Sequence, residues 1–455
     1  MKGVFVVGAG PAGMFAARQI ALAGYETYIF NRDIRPGGLA QYGIYPLKTK
    51  MKAGLRKQFD QTLALPNLHY FGAVQIGASY DVTLAELEAM RPAAIVFASG
   101  AQGAKSLGLP GEDAKGVYAA KDFVYHYNQL DPYVSGDFST GKHVAVIGVG
   151  NVAIDIARWL LRDDPQKQTE SVTLISRRGP LEVKFDKKEI DYVESHFSRE
   201  QMSNELARVR ERCAQCGQDV SPEKIFPVHF PRLNSPEFAS IPPSLSIRFL
   251  SSPKAFLTDS IGRVTKMVIA ENDLVLKSDG NTSAKANGET ATLDVDTVLF
   301  AIGDKHDPLI GLPMGPDGYA TIPDNGDPCF EVWDPVAAQA VPGRFVVGWA
   351  RKASTGLAGV ARHDGEVGAR KALEYLKDAP DTDTLNAQQI REFLERKGIR
   401  TADKRDLEIL AQAELRQGQP VSPASFNFSE NEAIFNAIDE EYSRASEAER
   451  VPAAN

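Results

Sequence analysis

The chain has 455 residues, which is enough for about two to three domains, each with its own hydrophobic core. A formal net charge of −8 argues against a general nucleic-acid-binding protein, and no apolar run approaches the ~18 residues that a membrane span requires. The three cysteines do not make a disulfide framework, and the first apolar run is too short for a signal peptide. We therefore expect a cytoplasmic protein without a nucleic-acid partner or a membrane span.

The N-terminal stretch 4–13 contains an apolar run followed by glycines at the spacing G-x-G-x-x-G, and an alanine-rich segment follows. This order predicts a strand, a phosphate-binding turn and a helix. In such units the first glycine, here Gly8, permits a tight turn. Gly10 lets the backbone approach a pyrophosphate, and Gly13 lets the helix pack against the strand. The pattern predicts that a dinucleotide binds at the start of this helix.

A second strand is predicted over 26–30, and Asn31 follows it. In dinucleotide-binding units this position usually holds an acidic residue that binds the adenosine ribose. An asparagine can accept from a ribose hydroxyl, but without charge assistance, so we expect a weaker contact. The alternative is that Asn31 is a turn residue ahead of Arg32 and Asp33, and both interpretations remain open at this stage.

An extended loop rich in glycine and proline is predicted at 35–46, and a basic helix at 49–63. Two short strands are predicted at 69–71 and 74–76, and a buried strand with small residues at its end at 95–100. The small residues at the end of the last strand allow the backbone to approach a nucleotide, although a tight turn needs them equally.

A second unit begins at 143–153 with the spacing G-x-G-x-x-A, again between a predicted strand and helix. Its partner strand, 172–176, is followed by Arg177 and Arg178. Two guanidinium groups at the position where NAD-binding units carry an acid favour the 2′-phosphate of NADP. The alternative is a solvated basic turn.

Beyond this unit the sequence predicts a charged surface helix at 203–212 and a region of strands and hairpins at 245–296, with a polar tip near Gly280. Two buried strands follow at 298–304 and 345–348. A long helix is predicted at 357–376, and further surface helices up to about 440. The predicted fold is α/β, with two Rossmann-like dinucleotide-binding domains and the second inserted into the first, as in glutathione reductase. The predicted domains are 1–105 with 306–440 for FAD and 106–305 for NADP, followed by a disordered tail over 441–455.

Two nucleotide units in one chain indicate a flavoprotein that accepts a hydride from a nicotinamide, with FAD in one unit and NADP(H) in the other. This chemistry requires little from side chains, because the cofactors carry the reaction once they are brought into contact.

With these motifs the chain resembles the adrenodoxin reductase family of ferredoxin–NADP(+) reductases. The matching segments are GAGPAG (8–13), PGGLAQYGIYP (36–46), LPGE (109–112), GVGNVAIDIAR (148–158), RRGPLEVKFDKKE (177–189), GWARKASTGLAG (348–359) and the tail 399–419. The resemblance covers nearly the whole chain. Relatives of thioredoxin reductase usually carry Gly-Asp where this chain has Gly348-Trp349.

The resemblance implies cofactor contacts at matching positions. For FAD these are Gly8, Gly10, Ala12, Gly13, Asn31, Gly38, Leu39, Val74, Trp349, Gly356, Leu357 and Ala358. For NADP they are Gly148, Gly150, Asn151, Val152, Arg177, Arg178, Glu189 and Gly356. Asn31 replaces a glutamate of the family, and Lys48 stands about where the family often has a histidine. Lys48 and Asp155 are therefore a candidate proton-relay pair, and no side chain is an obligatory catalytic acid or base.

The resemblance implies electron transfer between NADPH and a ferredoxin or similar acidic iron–sulfur protein. A basic surface is expected to bind this partner, with candidates Lys187, Lys188, Arg199, Arg208 and Arg212, which are otherwise ordinary solvated charges.

Three alternatives remain. Cys213 and Cys216 have the C-x-x-C spacing of a disulfide reductase, but they follow the second glycine motif, far from the expected flavin. An electron-input subunit like that of glutamate synthase shares the GGL-x-x-YGI loop (37–44), yet usually has a cysteine-rich segment at its N-terminus. The third alternative is a non-catalytic NADP(H)-sensing protein.

Overall fold

A computed structural model describes residues 2–315, 318–323, 329–353, 358–418 and 427–450, without the side chains of 418 and 447–450. Within these ranges no helix is long and apolar enough to cross a membrane.

The strands in chain order are β1 (Gly3–Val7), β2 (Glu26–Asn31), β3 (Leu68–Gly72), β4 (Ala94–Phe97), β5 (Gly103–Ala104), β6 (Val117–Ala119), β7 (His143–Ile147), β8 (Ser171–Ile175), β9 (Ser244–Arg248), β10 (Ser251–Thr258), β11 (Val264–Leu276), β12 (Thr282–Asp294), β13 (Thr297–Phe300), β14 (Asp304–Lys305), β15 (Glu331–Asp334) and β16 (Gln339–Val346).

The helices are α1 (Pro11–Leu22), α2 (Leu39–Tyr42), α3 (Thr49–Leu63), α4 (Leu84–Ala89), α5 (Ala120–Tyr127), α6 (Asn151–Arg158), α7 (Lys187–Ile190), α8 (Arg199–Ala214), α9 (Pro222–His229), α10 (Ala358–Asp378), α11 (Ala387–Arg396), α12 (Lys404–Gly418) and α13 (Asn431–Arg450).

The chain divides into two compact units. The first comprises Met1–Gly103, Tyr127–Val134 and Gly303–Asn455, and the second comprises Ala104–His126 and Ser135–Ile302. The predicted domain boundaries, 105/106 and 305/306, lie close to these divisions, whereas the segment 127–134 groups with the first unit.

The first unit is built on a six-stranded sheet in the order β15-β16-β4-β1-β2-β3. The strands from β16 to β3 run parallel, and β15 is antiparallel to β16. Every residue of β1 is buried, as expected for a central parallel strand covered on both faces. One face packs against α1, α3 and α10, through residues such as Met14, Phe59 and Ala369. The other face packs against α11 and the segment around Ile310.

The second unit has a parallel five-stranded sheet in the order β6-β13-β7-β8-β9. A three-stranded antiparallel sheet, β10-β11-β12, packs against it through an apolar cluster that includes Phe256, Met267 and Phe300. The rings of Phe256 and Phe300 meet edge to face with centroids 5.7 Å apart. The two parallel sheets, each with its own helices, confirm the predicted α/β class with two dinucleotide-binding folds.

Three local predictions need correction. The stretch 74–76 forms a single bridge at Ile76 and not a strand, and the loop 35–46 contains the short helix α2. The disordered tail predicted over 441–455 is helical over 441–450, as the end of α13, and 451–455 lie outside the described residues. The apolar face of α13 accounts for this last difference, because Ile434, Ile438 and Tyr442 pack on α12.

Candidate dinucleotide-binding sites

The first glycine turn requires its glycines for two separate steric reasons. Gly8 has a φ of +103°, and a Cβ there would lie 2.6 Å from the Ala98 carbonyl oxygen. A Cβ on Gly13 would lie 2.0 Å from the carbonyl oxygen of Gly8, closer than real atoms approach. A side chain at Gly8 would push the turn away from the end of β4, and one at Gly13 would push α1 away from the end of β1, in agreement with the predicted tight turn and close helix packing.

Gly10 is different, because the space beside it is open. It precedes α1 in an extended conformation (φ −70°, ψ 178°) with no side-chain cap, and no heavy atom lies within 4 Å of a Cβ placed there. Pro11 then begins the helix. An uncapped helix N-terminus with open space at its glycine fits the pyrophosphate of a dinucleotide, which accepts hydrogen bonds from free backbone N–H groups.

The loop containing Gly38 returns to this turn. The Gly37 N–H donates to the Ala9 carbonyl at 2.7 Å. Gly38 has a φ of +49°, and a Cβ on it would lie 3.2 Å from the Gly10 Cα. The structure therefore places Gly38, and Leu39 at the start of α2, beside the glycine turn. The signal in the sequence was the Gly37-Gly38 pair in a predicted loop.

Asn31 lies at the end of β2 with 5% of its surface exposed. Its Oδ1 accepts from the Ala9 N–H at 2.9 Å. Its Nδ2 donates to three acceptors, which are the Asp33 carbonyl (2.7 Å), the Arg35 carbonyl (3.0 Å) and the Tyr70 hydroxyl (3.1 Å). The side chain thus joins the glycine turn to the loop after β2, as in the turn interpretation. A ribose contact at Asn31 stays a prediction. The backbone carbonyl of Asn31 accepts from Val74, another predicted contact residue, which is buried.

A late turn, Gly348–Ala350, meets the first helix of the same unit. A Cβ on Gly348 would lie 2.5 Å from the Ala12 Cβ, so the turn rests directly on α1. The Gly348 N–H donates to Asp364 Oδ2 at 2.5 Å, and Asp364 also forms an ion pair with Arg351.

The carbonyl of Trp349, in the same turn, accepts from His306 Nε2 at 2.7 Å. The predicted contact residue Ala358 begins α10, whereas Gly356 and Leu357 lie outside the described residues.

The second glycine turn repeats the first in the other unit. Gly148 has a φ of +128°, and a Cβ there would lie 2.3 Å from the Ala301 carbonyl oxygen. Gly150 precedes α6 in extended conformation, and no heavy atom lies within 4 Å of its Cβ position. Asn151 exchanges two hydrogen bonds of 2.8 Å with Asp186, one to the backbone and one to the side chain.

Val152 follows at the start of α6 and is 46% exposed. The segment 184–186 runs along the turn and leads into α7, which carries Glu189. The geometry again leaves an open helix N-terminus for a pyrophosphate.

Arg177 and Arg178 lie at the end of β8, beside this turn in the sheet. The Arg177 side chain is exposed and that of Arg178 is half-buried. The Gly148 N–H donates to the Ile175 carbonyl at 2.9 Å, which ties the end of β8 to the glycine turn. Two guanidinium groups at this sheet edge are suited to bind a phosphate ester in a bidentate manner.

The cysteine pair does not have the properties of a redox dithiol. Cys213 is completely buried in α8, and burial raises the pKa of its thiol to about 11. The Cys216 thiol donates to the Leu274 carbonyl at 3.2 Å. Reactive cysteines need an accessible thiolate with a lowered pKa. In the described ranges no group of three or more His, Cys, Asp or Glu residues could hold a metal ion.

Two of the arginines that were candidates for partner binding are engaged in a buried network. Arg208 binds Glu205 and Glu271, and Arg212 binds Glu271 at 3.0 Å. Burial acts to raise the pKa of Glu271, but hydrogen bonds and charges from Arg248, Arg208 and Arg212 bring that pKa below its ordinary value. The network holds α8 to β11. Lys187 and Lys188 are exposed in α7.

Lys48 precedes α3 in the first unit, and Asp155 lies in α6 of the second. A proton relay between Lys48 and Asp155 stays a prediction.

Sequence reasoning missed the residues that support the Gly348–Ala350 turn, above all His306 and Asp364. Each acts through a contact with a residue distant along the chain, so no local pattern indicated its role. The nearest signal was the motif 348–359, which ends shortly before Asp364.

Comparisons with known proteins agree with this geometry. The pyridine nucleotide-disulphide oxidoreductase family matches residues 2–222. NADPH-ferredoxin reductase FprA of Mycobacterium leprae is 29% identical over 418 residues, which span 84% of this chain and 86% of the relative. Mitochondrial NADPH:adrenodoxin oxidoreductase of Salvelinus fontinalis is 29% identical over 453 residues, spanning 91% and 87%.

A solved structure described as Mycobacterium tuberculosis FprA in complex with NADPH is also similar. It matches with a TM-score of 0.78 at 25% identity, covering 97% of this chain and 99% of that one.

The fold and the two open glycine turns, together with these matches, define a two-domain oxidoreductase that is similar over residues 2–222 to the pyridine nucleotide-disulphide oxidoreductases. Over most of its length the chain is similar to the adrenodoxin reductase-like ferredoxin–NADP(+) reductases. The resemblance predicted from the sequence motifs is confirmed.

Proposed function

We propose that this chain is an FAD-dependent NADPH–ferredoxin reductase, with FAD in the first unit and NADP(H) in the second. The observation that carries the proposal is the pair of open glycine turns at Gly10 and Gly150. The strand beside the second turn, β8, ends in two arginines, whereas the strand beside the first, β2, does not. The named relatives are NADPH-ferredoxin and NADPH:adrenodoxin reductases, which supports both the cofactor assignment and the reaction.

The chain contributes binding and orientation, and the cofactors contribute the redox chemistry. When bound, FAD would supply the chemistry of hydride acceptance from NADPH and of single-electron transfer to an iron–sulfur protein. The N-terminus of α1 would hold the FAD pyrophosphate, with Gly38, Leu39 and the Gly348–Ala350 turn beside it. The N-terminus of α6 would hold the NADP pyrophosphate. No side chain is required to move a proton during hydride transfer.

The two arginines would select the nicotinamide cofactor. A 2′-phosphate at the end of β8 would be bound by Arg177 and Arg178, whereas NAD offers only a neutral hydroxyl there. Glu189, in α7 near the same turn, is proposed as a further NADP contact.

The proposed partner is an acidic iron–sulfur protein of the ferredoxin type. The protein carries a formal net charge of −8, so an acidic partner must bind a local basic surface. Lys187 and Lys188 are exposed and support such a surface, unlike Arg208 and Arg212 with their carboxylate partners. The free thiols of Cys213 and Cys216, which have the spacing of a dithiol but form no disulfide, support the proposal of a cytoplasmic location.

Anaerobic mixing of the purified flavin-containing protein with NADPH or NADH tests the proposal. We expect release of FAD on denaturation, rapid bleaching of the flavin absorbance by NADPH, and slower bleaching by NADH. Electron transfer from the reduced enzyme is then measured with a panel of acidic and neutral ferredoxins.

Each alternative predicts a different result. Absence of bleaching, with NADPH still bound, would indicate a non-catalytic sensor. Bleaching without electron transfer to any ferredoxin would indicate a different acceptor, as in the glutamate synthase-like alternative.

A further inference from the structure

The turn that carries Arg177 and Arg178 is held by a residue from the antiparallel sheet of the same unit. Asn272, in β11, donates from Nδ2 to the Arg177 carbonyl at 3.0 Å and to the Ser252 hydroxyl at 2.8 Å. The side chain is 2% exposed. A buried amide with both donor bonds made to fixed acceptors has one orientation only, so it determines where the Arg177 peptide lies.

The Arg178 carbonyl is held at the same time. It accepts from the Ser176 hydroxyl at 3.0 Å and from the Leu250 N–H at 3.2 Å. The Leu250 carbonyl in turn accepts from the Asn272 N–H at 2.8 Å. Asn272 and Leu250 therefore connect the carbonyls of both arginines to the start of the β10–β11 hairpin.

Asn272 is itself anchored from the opposite side. Its carbonyl accepts from Arg212 Nη1 at 3.0 Å, within the network that surrounds Glu271. The pairing of β11 with β12 shifts register between Ala270 and Asn272, and such irregularities turn a side chain away from its regular direction. The irregularity lies at the residue that contacts the arginine turn.

We propose that Asn272 is a positioning residue for recognition of the NADP 2′-phosphate. This inference rests on the proposed function of Arg177 and Arg178. A phosphate bound by two guanidinium groups requires both side chains to start from fixed backbone positions, because small misplacements weaken bidentate bonds. Without the Asn272 amide, the Arg177 peptide can rotate, and the Arg177 side chain no longer starts from a fixed backbone position.

The test compares two ligands that differ only by the 2′-phosphate, 2′,5′-ADP and 5′-AMP, as competitive inhibitors of the flavin-containing enzyme. For Asn272→Ala we expect about tenfold weaker binding of 2′,5′-ADP, unchanged binding of 5′-AMP and a raised KM for NADPH with kcat retained. Asn287→Ala is the matched control. Asn287 is exposed on β12, where its side chain donates to Asp273 at 3.4 Å and accepts from the Glu289 N–H at 2.9 Å, and we expect no change in the binding of either ligand.

Ser176→Ala is a second, smaller change that removes the side-chain bond to the Arg178 carbonyl, in case Asn272→Ala does not fold. This change should weaken the binding of 2′,5′-ADP by about threefold and leave the binding of 5′-AMP unchanged. An equal loss of affinity for both ligands in these variants, or no loss of affinity relative to Asn287→Ala, would overturn the positioning role. If the unaltered enzyme does not prefer 2′,5′-ADP to 5′-AMP, the NADP assignment of the proposed function fails instead.

Discussion

The side-chain oxygen of Asn31 accepts a hydrogen bond of 2.9 Å from the backbone N–H of Ala9, at the centre of the first glycine turn. The same side chain donates to the loop that follows β2, through the Asp33 and Arg35 carbonyls. One buried amide thus joins the turn expected to bind the FAD pyrophosphate to the loop that leads to Gly38. An amide is suited to this place, because it combines an acceptor with two donors and carries no charge.

Replacing Asn31 tests whether its side chain holds the glycine turn and the loop after β2 together. Asn31→Ala would leave the Ala9 N–H and nearby carbonyls without partners in a buried place, so we expect a loss of about 1–3 kcal/mol in stability and a lower FAD content. Asn31→Asp keeps the acceptor but removes both donors and buries a charge, and should be at least as damaging. Flavin content and thermal unfolding of the purified variants measure the effect.

Asn67→Ala provides the control, because Asn67 also bonds to two carbonyls, those of Ala21 and Tyr25, away from the glycine turn. It should lose stability with little change in flavin affinity. If Asn31→Ala and Asn67→Ala retain FAD equally well, Asn31 has no special role at the cofactor site.

Removing the arginine pair should change cofactor choice. We expect Arg177→Ala with Arg178→Ala to raise the KM for NADPH by about 100-fold or more, since each charged hydrogen bond to a phosphate contributes about 1.5–3 kcal/mol in favourable geometry and the variant loses two. The KM for NADH and the flavin content should not change. Steady-state kinetics with both nucleotides provide the measurement, and equal losses for NADPH and NADH would refute binding of the 2′-phosphate.

The close contact of α1 with α10 predicts a steric effect at Gly365. A Cβ there would lie 2.2 Å from the Ala12 carbonyl oxygen, so Gly365→Ala must separate the two helices, at a cost of about 1–3 kcal/mol or more. Gly54→Ala in α3 is the control. No atom lies within 4 Å of its Cβ position, and we expect stabilisation of about 0.5–1 kcal/mol. Chemical denaturation of both variants checks the difference, and a Gly365→Ala protein as stable as the original would contradict the close packing.

The cysteine pair should be dispensable for the reaction. With a pKa of about 11, only about one in a thousand Cys213 thiols is ionised at pH 8. The ionised fraction rises about tenfold per pH unit towards 11, and burial slows alkylation further. We expect Cys213→Ala with Cys216→Ala to retain NADPH-dependent ferredoxin reduction. Mass spectrometry after iodoacetamide treatment should find Cys213 unmodified, and rapid labelling of this residue at pH 8 would restore the disulfide reductase alternative.

Charge reversal separates the candidates for partner binding. Lys187→Glu with Lys188→Glu should raise the KM for an acidic ferredoxin at low salt and reduce the dependence of the rate on ionic strength. Lys277→Glu with Lys285→Glu, at exposed positions of the β11–β12 hairpin, serves as a control with the same change of charge. The KM for NADPH is measured in parallel, because α7 lies near the second glycine turn. Identical ferredoxin kinetics in all three proteins would place the docking surface elsewhere.

The parts of the site that the sequence predicted are those governed by local rules. Gly8, Gly13 and Gly148 were predicted because a short turn between strand and helix imposes their conformation and spacing. The position of Arg177 and Arg178 at the end of β8 was predicted because such units carry the residue that discriminates the cofactor ribose there, and binding of a 2′-phosphate by these arginines stays a prediction.

The remainder depends on contacts between distant residues. Asn272 reaches the Arg177 carbonyl across 95 positions of the chain, through an irregular register that no pattern in β11 reveals. Arg208 and Arg212 have the appearance of free surface charges in the sequence. Their carboxylate partner, Glu271, lies more than fifty positions away and is brought to α8 only by the antiparallel sheet.

The contact of Gly348 with Ala12 has a consequence for the order in which the protein can mature. In the sheet β16 lies next to β4, and α10 packs on α1 at Gly365, so both elements come from the part of the chain that is synthesised after the inserted unit. When the second unit is complete at Ile302, the first unit has β1 to β4 but lacks β15, β16 and α10. The proposed flavin site therefore receives the Gly348–Ala350 turn and α10 only after the whole inserted unit has been synthesised.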